Sequence, residues 1–123
     1  MSYMVLVAED EAPLADVLAD ILEDEGYQVR CVTDGEAALK EVEAAPPDLI
    51  ISDISMPRVD GMQVARRIMQ MRPAIPMILM SARKLPERLP GVMFVPKPFD
   101  MEHLLSLAEH ALAARSHATR PLP

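Results

Sequence analysis

Met4-Val5-Leu6-Val7-Ala8-Glu9-Asp10-Glu11-Ala12-Pro13-Leu14 opens on an unbroken apolar run of strand length that ends abruptly in two carboxylates. Directly after it, Leu14, Val17, Leu18, Ile21 and Leu22 recur at helical spacing. A strand apolar on both faces, followed at once by an amphipathic helix, is how a parallel sheet begins. Gly26 stops that helix, and Gln28-Val29-Arg30-Cys31-Val32 alternates as a second strand. Thr33 or Asp34 can cap a second helix through Val42, which Pro46-Pro47 closes.

The same alternation runs onward. Leu49-Ile50-Ile51-Ser52 reads as a third strand, Gly61 to Arg72 as a third helix, and Met77-Ile78-Leu79-Met80 as a fourth strand entered through Pro73 and Pro76. Val92-Met93-Phe94-Val95 makes a fifth strand, and Asp100 can cap a last helix whose apolar stripe is Met101, Leu104, Leu105, Ala108 and Leu112. Five apolar strands separated by helices give a doubly wound α/β domain with helices on both faces of a parallel sheet. Ligands of such sheets bind beyond the carboxyl ends of the strands, so the residues just past each strand are the ones that matter.

At 123 residues, half of them apolar, the chain suits one domain with one core. A single cysteine, Cys31, leaves no internal disulfide, and the start of the chain lacks the pattern of a secretory leader. No apolar run approaches the roughly 20 residues that span a bilayer, so a cytoplasmic protein without a membrane partner is expected. The net charge is −7, with acids crowded between Glu9 and Glu25, which repels nucleic acid. Arg66, Arg67, Arg72, Arg83, Lys84 and Arg88 make the middle more basic, read as a solvated face. The ten methionines fall largely on strands and apolar helix faces, where they fill a core. His103, His110 and His117 recur every seventh residue, roughly 10 Å of helical rise apart and too far for a shared metal. No Gly-rich loop follows the first strand, and Glu9 to Pro13 would turn carboxylates toward a phosphate, which excludes a nucleotide site there.

The strand ends carry Glu9-Asp10, Asp53, Ser81 and Lys97. Three carboxylates gathered together repel unless a cation lies among them, and hard oxygen donors suit Mg²⁺. A lysine adds fixed positive charge and a serine adds a donor, a set suited to phosphoryl transfer onto a carboxylate. Taken singly, each residue has a plainer role. Glu9-Asp10 could serve the following helix N-terminus, Asp53 could be a turn carboxylate ahead of Pro57 and Gly61, and Ser81 could be an ordinary loop residue. Lys97, held between Pro96 and Pro98, is the less ordinary one. Their joint occurrence in this order carries the reading.

With these motifs the chain resembles the receiver domain of two-component response regulators, from Met4 to about Leu112. The matching segments are Glu9-Asp10, Asp53-Ile54-Ser55-Met56-Pro57 with Asp60-Gly61, Met80-Ser81-Ala82 and Lys97-Pro98-Phe99. The resemblance implies a flavodoxin-like strand order 2-1-3-4-5. From the residues themselves, 1–115 are expected to form the receiver and Ser116 to Pro123 a disordered tail. It implies Asp53 as phosphoacceptor, assisted by Lys97 and Ser81, and Mg²⁺ held by Asp10, Asp53 and the Ser55 backbone carbonyl, with Glu9 acting through a water. A histidine kinase or histidine phosphotransfer protein would donate the phosphoryl group, and an unknown downstream protein would read it. The chain would catalyse only its own phosphorylation and dephosphorylation. Phe94 falls at the switch aromatic, or is an ordinary core aromatic. Lys97-Pro98 is where the family has a cis bond, which an X-Pro bond permits.

The segment Ala82 to Gly91 is short for the connection between the fourth and fifth strands and contains Pro86 and Pro90, so the helix expected there is stunted or absent. A stand-alone receiver, monomeric or weakly dimeric, is expected to act by protein contact or phosphate relay. The rival readings are a pseudo-receiver that binds a partner without phosphate, and a small Mg²⁺-dependent phosphatase with Asp53 as nucleophile.

Overall fold

The computed structural model describes residues 2–56, 60–82 and 89–119 of the chain. Five strands, β1 (Met4–Ala8), β2 (Gln28–Val32), β3 (Leu49–Asp53), β4 (Met77–Ser81) and β5 (Val92–Pro96), form one parallel sheet in the order β2-β1-β3-β4-β5. Helices α1 (Ala12–Asp24), α2 (Gly35–Ala44), α3 (Gly61–Met71) and α4 (Met101–Thr119) complete the doubly wound fold expected from the alternation. The chain reverses direction of winding between β1 and β3, so their carboxyl ends form the crevice at which such sheets bind ligands.

Adjacent residues of one strand serve opposite cores. Val5, Val7, Ile51 and Ile78 point to the side where Leu18, Leu22, Leu104 and Ala108 pack, whereas Leu6, Ile50, Met77 and Leu79 meet Val42, Val64 and Ile68. All residues of β3 and β4 are buried, which is why these strands read as continuous apolar runs instead of alternating ones.

Local chemistry sets the element ends. At Gly26 the backbone takes φ +95, which a side chain would resist, and α1 ends there. Of the two expected caps of α2, Asp34 is the one used: its carboxylate accepts from the Ala37 N–H at 2.8 Å. The helix runs to Ala44, two residues past Val42, because nothing breaks it before Pro46-Pro47. Asp60 caps α3 through the Met62 N–H at 2.9 Å, and Asp100 accepts from the Glu102 N–H at 3.0 Å ahead of α4. Helix α4 continues to Thr119, beyond the boundary expected after Arg115; Ser116, His117 and Ala118 do not break a helix, and the next proline is Pro121. The short or missing helix was expected within Ala82 to Gly91, of which residues 83–88 lie outside the described residues; the four helices that are described agree with it.

Candidate phosphoacceptor site

Every sequence-predicted polar residue sits where a strand delivers it. β1 ends one residue before Glu9, β3 ends on Asp53, β4 ends on Ser81, and Lys97 follows β5. Glu9 and Asp53 are buried while Asp10 is exposed, and one carboxylate oxygen from each of the three lies within 4.8 Å of the others. Lys97 spans the group: its Nζ donates to Asp53 Oδ2 at 2.7 Å and to Glu9 Oε1 at 3.1 Å.

Backbone groups fix the carboxylates from the other side. The Ser55 N–H donates to Asp53 Oδ1 at 2.9 Å, so Asp53 is also the turn carboxylate that its position before a Pro- and Gly-containing loop suggested. The Glu11 N–H donates to Glu9 Oε2 at 3.1 Å, just ahead of α1, whose N-cap Glu11 makes no side-chain cap of its own. Glu9 thus supports the helix start and reaches the site at once. Ser81 is buried, lies opposite Pro96 in the sheet register, and its carbonyl accepts from the Lys97 N–H at 2.7 Å. The Lys97-Pro98 bond is cis. Phe94 is half-buried and faces Leu79 in the register, and neither core includes it. Pro57 lies outside the described residues.

The electrostatics follow from burial. Loss of water around Glu9 raises its pKa above the ordinary 4.5, a shift that the Glu11 N–H and Lys97 oppose and the nearby Asp53 charge reinforces. Burial of Lys97 works to lower its pKa, but its bonds to Asp53 and Glu9 prevail and hold it above 10.5. Lys97 is therefore a fixed cation at neutral pH. Among the described residues, three carboxylates face one ammonium, which leaves negative charge uncompensated, and the all-oxygen donor set fits a hard divalent cation.

One contact was not legible in the sequence. Gly61, the first residue of α3, is buried directly against the backbone of Ile54, the residue between Asp53 and Ser55. A glycine at a helix start, shortly past a strand-end aspartate, was the available signal.

Comparison with known proteins agrees with this geometry. The family model of the response regulator receiver domain matches residues 5–109. The chain is 32% identical over 120 residues to the nitrogen assimilation regulatory protein NtrX of Azorhizobium caulinodans, covering 91% of this chain and 26% of the relative. It is 33% identical over 112 residues to the response regulator MprA of Mycobacterium ulcerans, covering 86% of this chain and 48% of the relative. The chain thus spans half or less of the length of these relatives. Among solved structures, the Vibrio cholerae chemotaxis protein CheY4 superposes with a TM-score of 0.82 at 25% identity, covering 90% of this chain and 99% of that one. With the matched model extending from β1 into α4 and all four motif segments falling within it, the chain belongs to the response regulator receiver domain family.

Proposed function

We propose that this chain is a Mg²⁺-dependent phosphoacceptor of a two-component phosphorelay, in which Asp53 receives a phosphoryl group from a phosphohistidine on a histidine kinase or phosphotransfer protein. The observation that carries this reading is Lys97 Nζ bridging Asp53 and Glu9 within a cluster of three carboxylates at the carboxyl ends of the strands. An Asp53 oxygen would attack phosphorus, forming a P–O bond as the P–N bond breaks, and the imidazole would leave with a proton from solvent.

The chain's own residues supply placement. The Ser55 N–H and Lys97 hold the two oxygens of Asp53 in fixed directions, so little reorganisation is needed when a donor arrives. Glu9, Asp10, Asp53 and the Ser55 carbonyl are the residues that would hold the metal, which when bound supplies positive charge to the transferring phosphoryl oxygens. Lys97, protonated throughout the physiological range, adds a charge that does not depend on metal. The activity proposed is confined to the chain's own phosphorylation and dephosphorylation, with output by protein contact or phosphate relay.

Incubation of the wild type and Asp53→Asn with Mg²⁺ and a small phosphodonor, followed by intact mass measurement, tests the reading. One added phosphoryl group on the wild type alone is expected. An unmodified wild type, with a donor competent on another receiver, overturns it.

A further inference from the structure

We propose that the chain carries a second binding site, at the opposite end of the sheet from Asp53, which takes an aromatic carboxylate. A cavity of about 490 Å³ opens where β4 and β5 begin. Its walls come from Met69 of α3, the loop that enters β4 from Pro73, the turn that enters β5 from Pro90, and His110, Ala111 and Ala114 of α4. That volume lies within the roughly 300–1,000 Å³ of small-molecule sites. The far ends of the same two strands lead to Ser81 and Lys97, so the cavity shares no residue with the phosphoacceptor site.

The local sequence keeps these walls apolar. Pro73, Pro76 and Pro90 bring no N–H donor. Backbone groups around them are paired: the Ile75 N–H donates to the Arg72 carbonyl at 3.1 Å, the Val92 N–H to the Leu89 carbonyl at 3.2 Å, and the Pro76 carbonyl accepts from the Ile50 N–H at 3.1 Å. Among the described lining residues only His110 has a polar side chain, and three are methionines, Met69, Met77 and Met93. Thioethers attract aromatic rings and adapt to their outline, which favours a flat aromatic body over an aliphatic chain.

Charge selects the head group. The chain carries a net charge of −7, yet among the described residues no Asp or Glu lines this cavity. Arg72 is exposed directly before Pro73, and the ring N–H of His110 can donate to an anion. Burial and then the Glu109 charge raise the pKa of Tyr27, which puts the acid next to His110 within reach of that phenol, a residue outside the cavity wall. A carboxylate at the mouth therefore meets donors and no fixed negative charge, whereas a neutral ligand gains the packing alone.

The test is a titration of the ¹³C-methyl-methionine-labelled chain with 2-naphthoate, followed by NMR. The methyl lines of Met69, Met77 and Met93 should shift under the ring current and saturate with one Kd below roughly 1 mM, while those of Met56 and Met80, beside the phosphoacceptor residues, stay in place. The neutral 2-naphthylmethanol should bind roughly 5-fold more weakly at low salt, with the difference narrowing at high salt. Ala114→Trp and, separately, Ala74→Trp fill the cavity from exposed positions. Each should weaken naphthoate binding at least about 10-fold without lowering the thermal midpoint. Two variants guard against one of them folding poorly, and the wild-type titration stands without either. Shifts that do not saturate, shifts that spread equally to Met56 and Met80, or wild-type affinity in both variants would overturn the site. Equal affinity for the alcohol and the acid would overturn the carboxylate assignment. Movement of the three lines with protein concentration alone would give the cavity to a second copy of the chain and overturn the proposal as well.

Discussion

Lys97 Nζ and Asp53 Oδ2 lie 2.7 Å apart although 44 residues separate them in the chain. The pair is made by the sheet alone: β3 and β5 both flank β4, and their parallel run brings the residue at each carboxyl end to the same rim. The same ammonium reaches Glu9 from β1, so three strands are tied at the site by one side chain.

Removing that cation exposes how much it offsets. Lys97→Met would leave Glu9 and Asp53 buried side by side without the counter-charge that Lys97 provides. The metal-free variant should lose about 3 kcal/mol, the lower end for breaking a buried pair, because the lysine side chain is still 18% exposed. Urea unfolding in the presence of a chelator measures it, and Mg²⁺ should return part of the loss. A midpoint equal to wild type would contradict the pairing.

If the site holds Mg²⁺ as proposed, proton and metal would compete at Glu9. In the metal-free fold its pKa is raised above 4.5, mainly by burial, so its protonated form is favoured by folding. That contribution is fully present below the unfolded value and is lost as pH rises through the raised folded value. Mg²⁺ should act in the opposite direction, binding better as Glu9 ionises. The stabilisation produced by saturating Mg²⁺ is therefore expected to keep growing with pH above 4.5, in step with the Glu9 carboxyl resonance. A Mg²⁺ effect already complete at pH 4.5 would show that Glu9 does not take part. For Lys97 the sign is the ordinary one for a paired cation: its contribution is present below 10.5 and disappears as pH passes its higher folded value.

The strands were legible because burial on both faces leaves no polar residue to interrupt Met4–Ala8, Leu49–Ile51 or Met77–Met80. The polar site was legible for a related reason: in a parallel sheet the polar residues that follow each apolar run fall at the same edge. Helix ends were less so. The end of α1 is unambiguous at Gly26, where φ is positive, but nothing local distinguishes Val42 from Ala44 as the end of α2, or Arg115 from Thr119 as the end of α4. Contacts that only the folded chain brings together were invisible, as with the packing of Gly61 against Ile54 and with the hydrogen bonds of Arg30, which crosses from β2 to Glu41 and the Ala45 carbonyl at the end of α2.

The choice between the two expected caps of α2 can be tested directly. Asp34 has extended backbone and accepts the Ala37 N–H, so Asp34→Ala should cost about 1 kcal/mol, the usual value of a lost cap. Thr33→Ala should leave the thermal midpoint within error of wild type. Equal losses at the two positions would show that the cap is shared.

The output side of the site can be followed through the two phenylalanines of the chain. Ser81 and Lys97 are joined by the 2.7 Å bond between carbonyl and N–H. Phe94 lies on β5 shortly before Lys97, half-buried and outside both cores, whereas Phe99 packs against the core that α4 covers. A phosphoryl group on Asp53 would draw on Lys97 and the Ser81 hydroxyl together, which changes the packing available to Phe94 and leaves Phe99 in place. Labelling with 4-fluorophenylalanine should give two fluorine lines, of which the Phe94 line alone shifts when beryllofluoride and Mg²⁺ are added. The shift should be absent in Asp53→Asn, and in Ser81→Ala it should shrink even though the phosphoryl analogue still binds. A Phe94 line that ignores the analogue, or a Phe99 line that moves equally, would remove Phe94 from the route between Asp53 and a partner and leave it as a residue of the sheet edge.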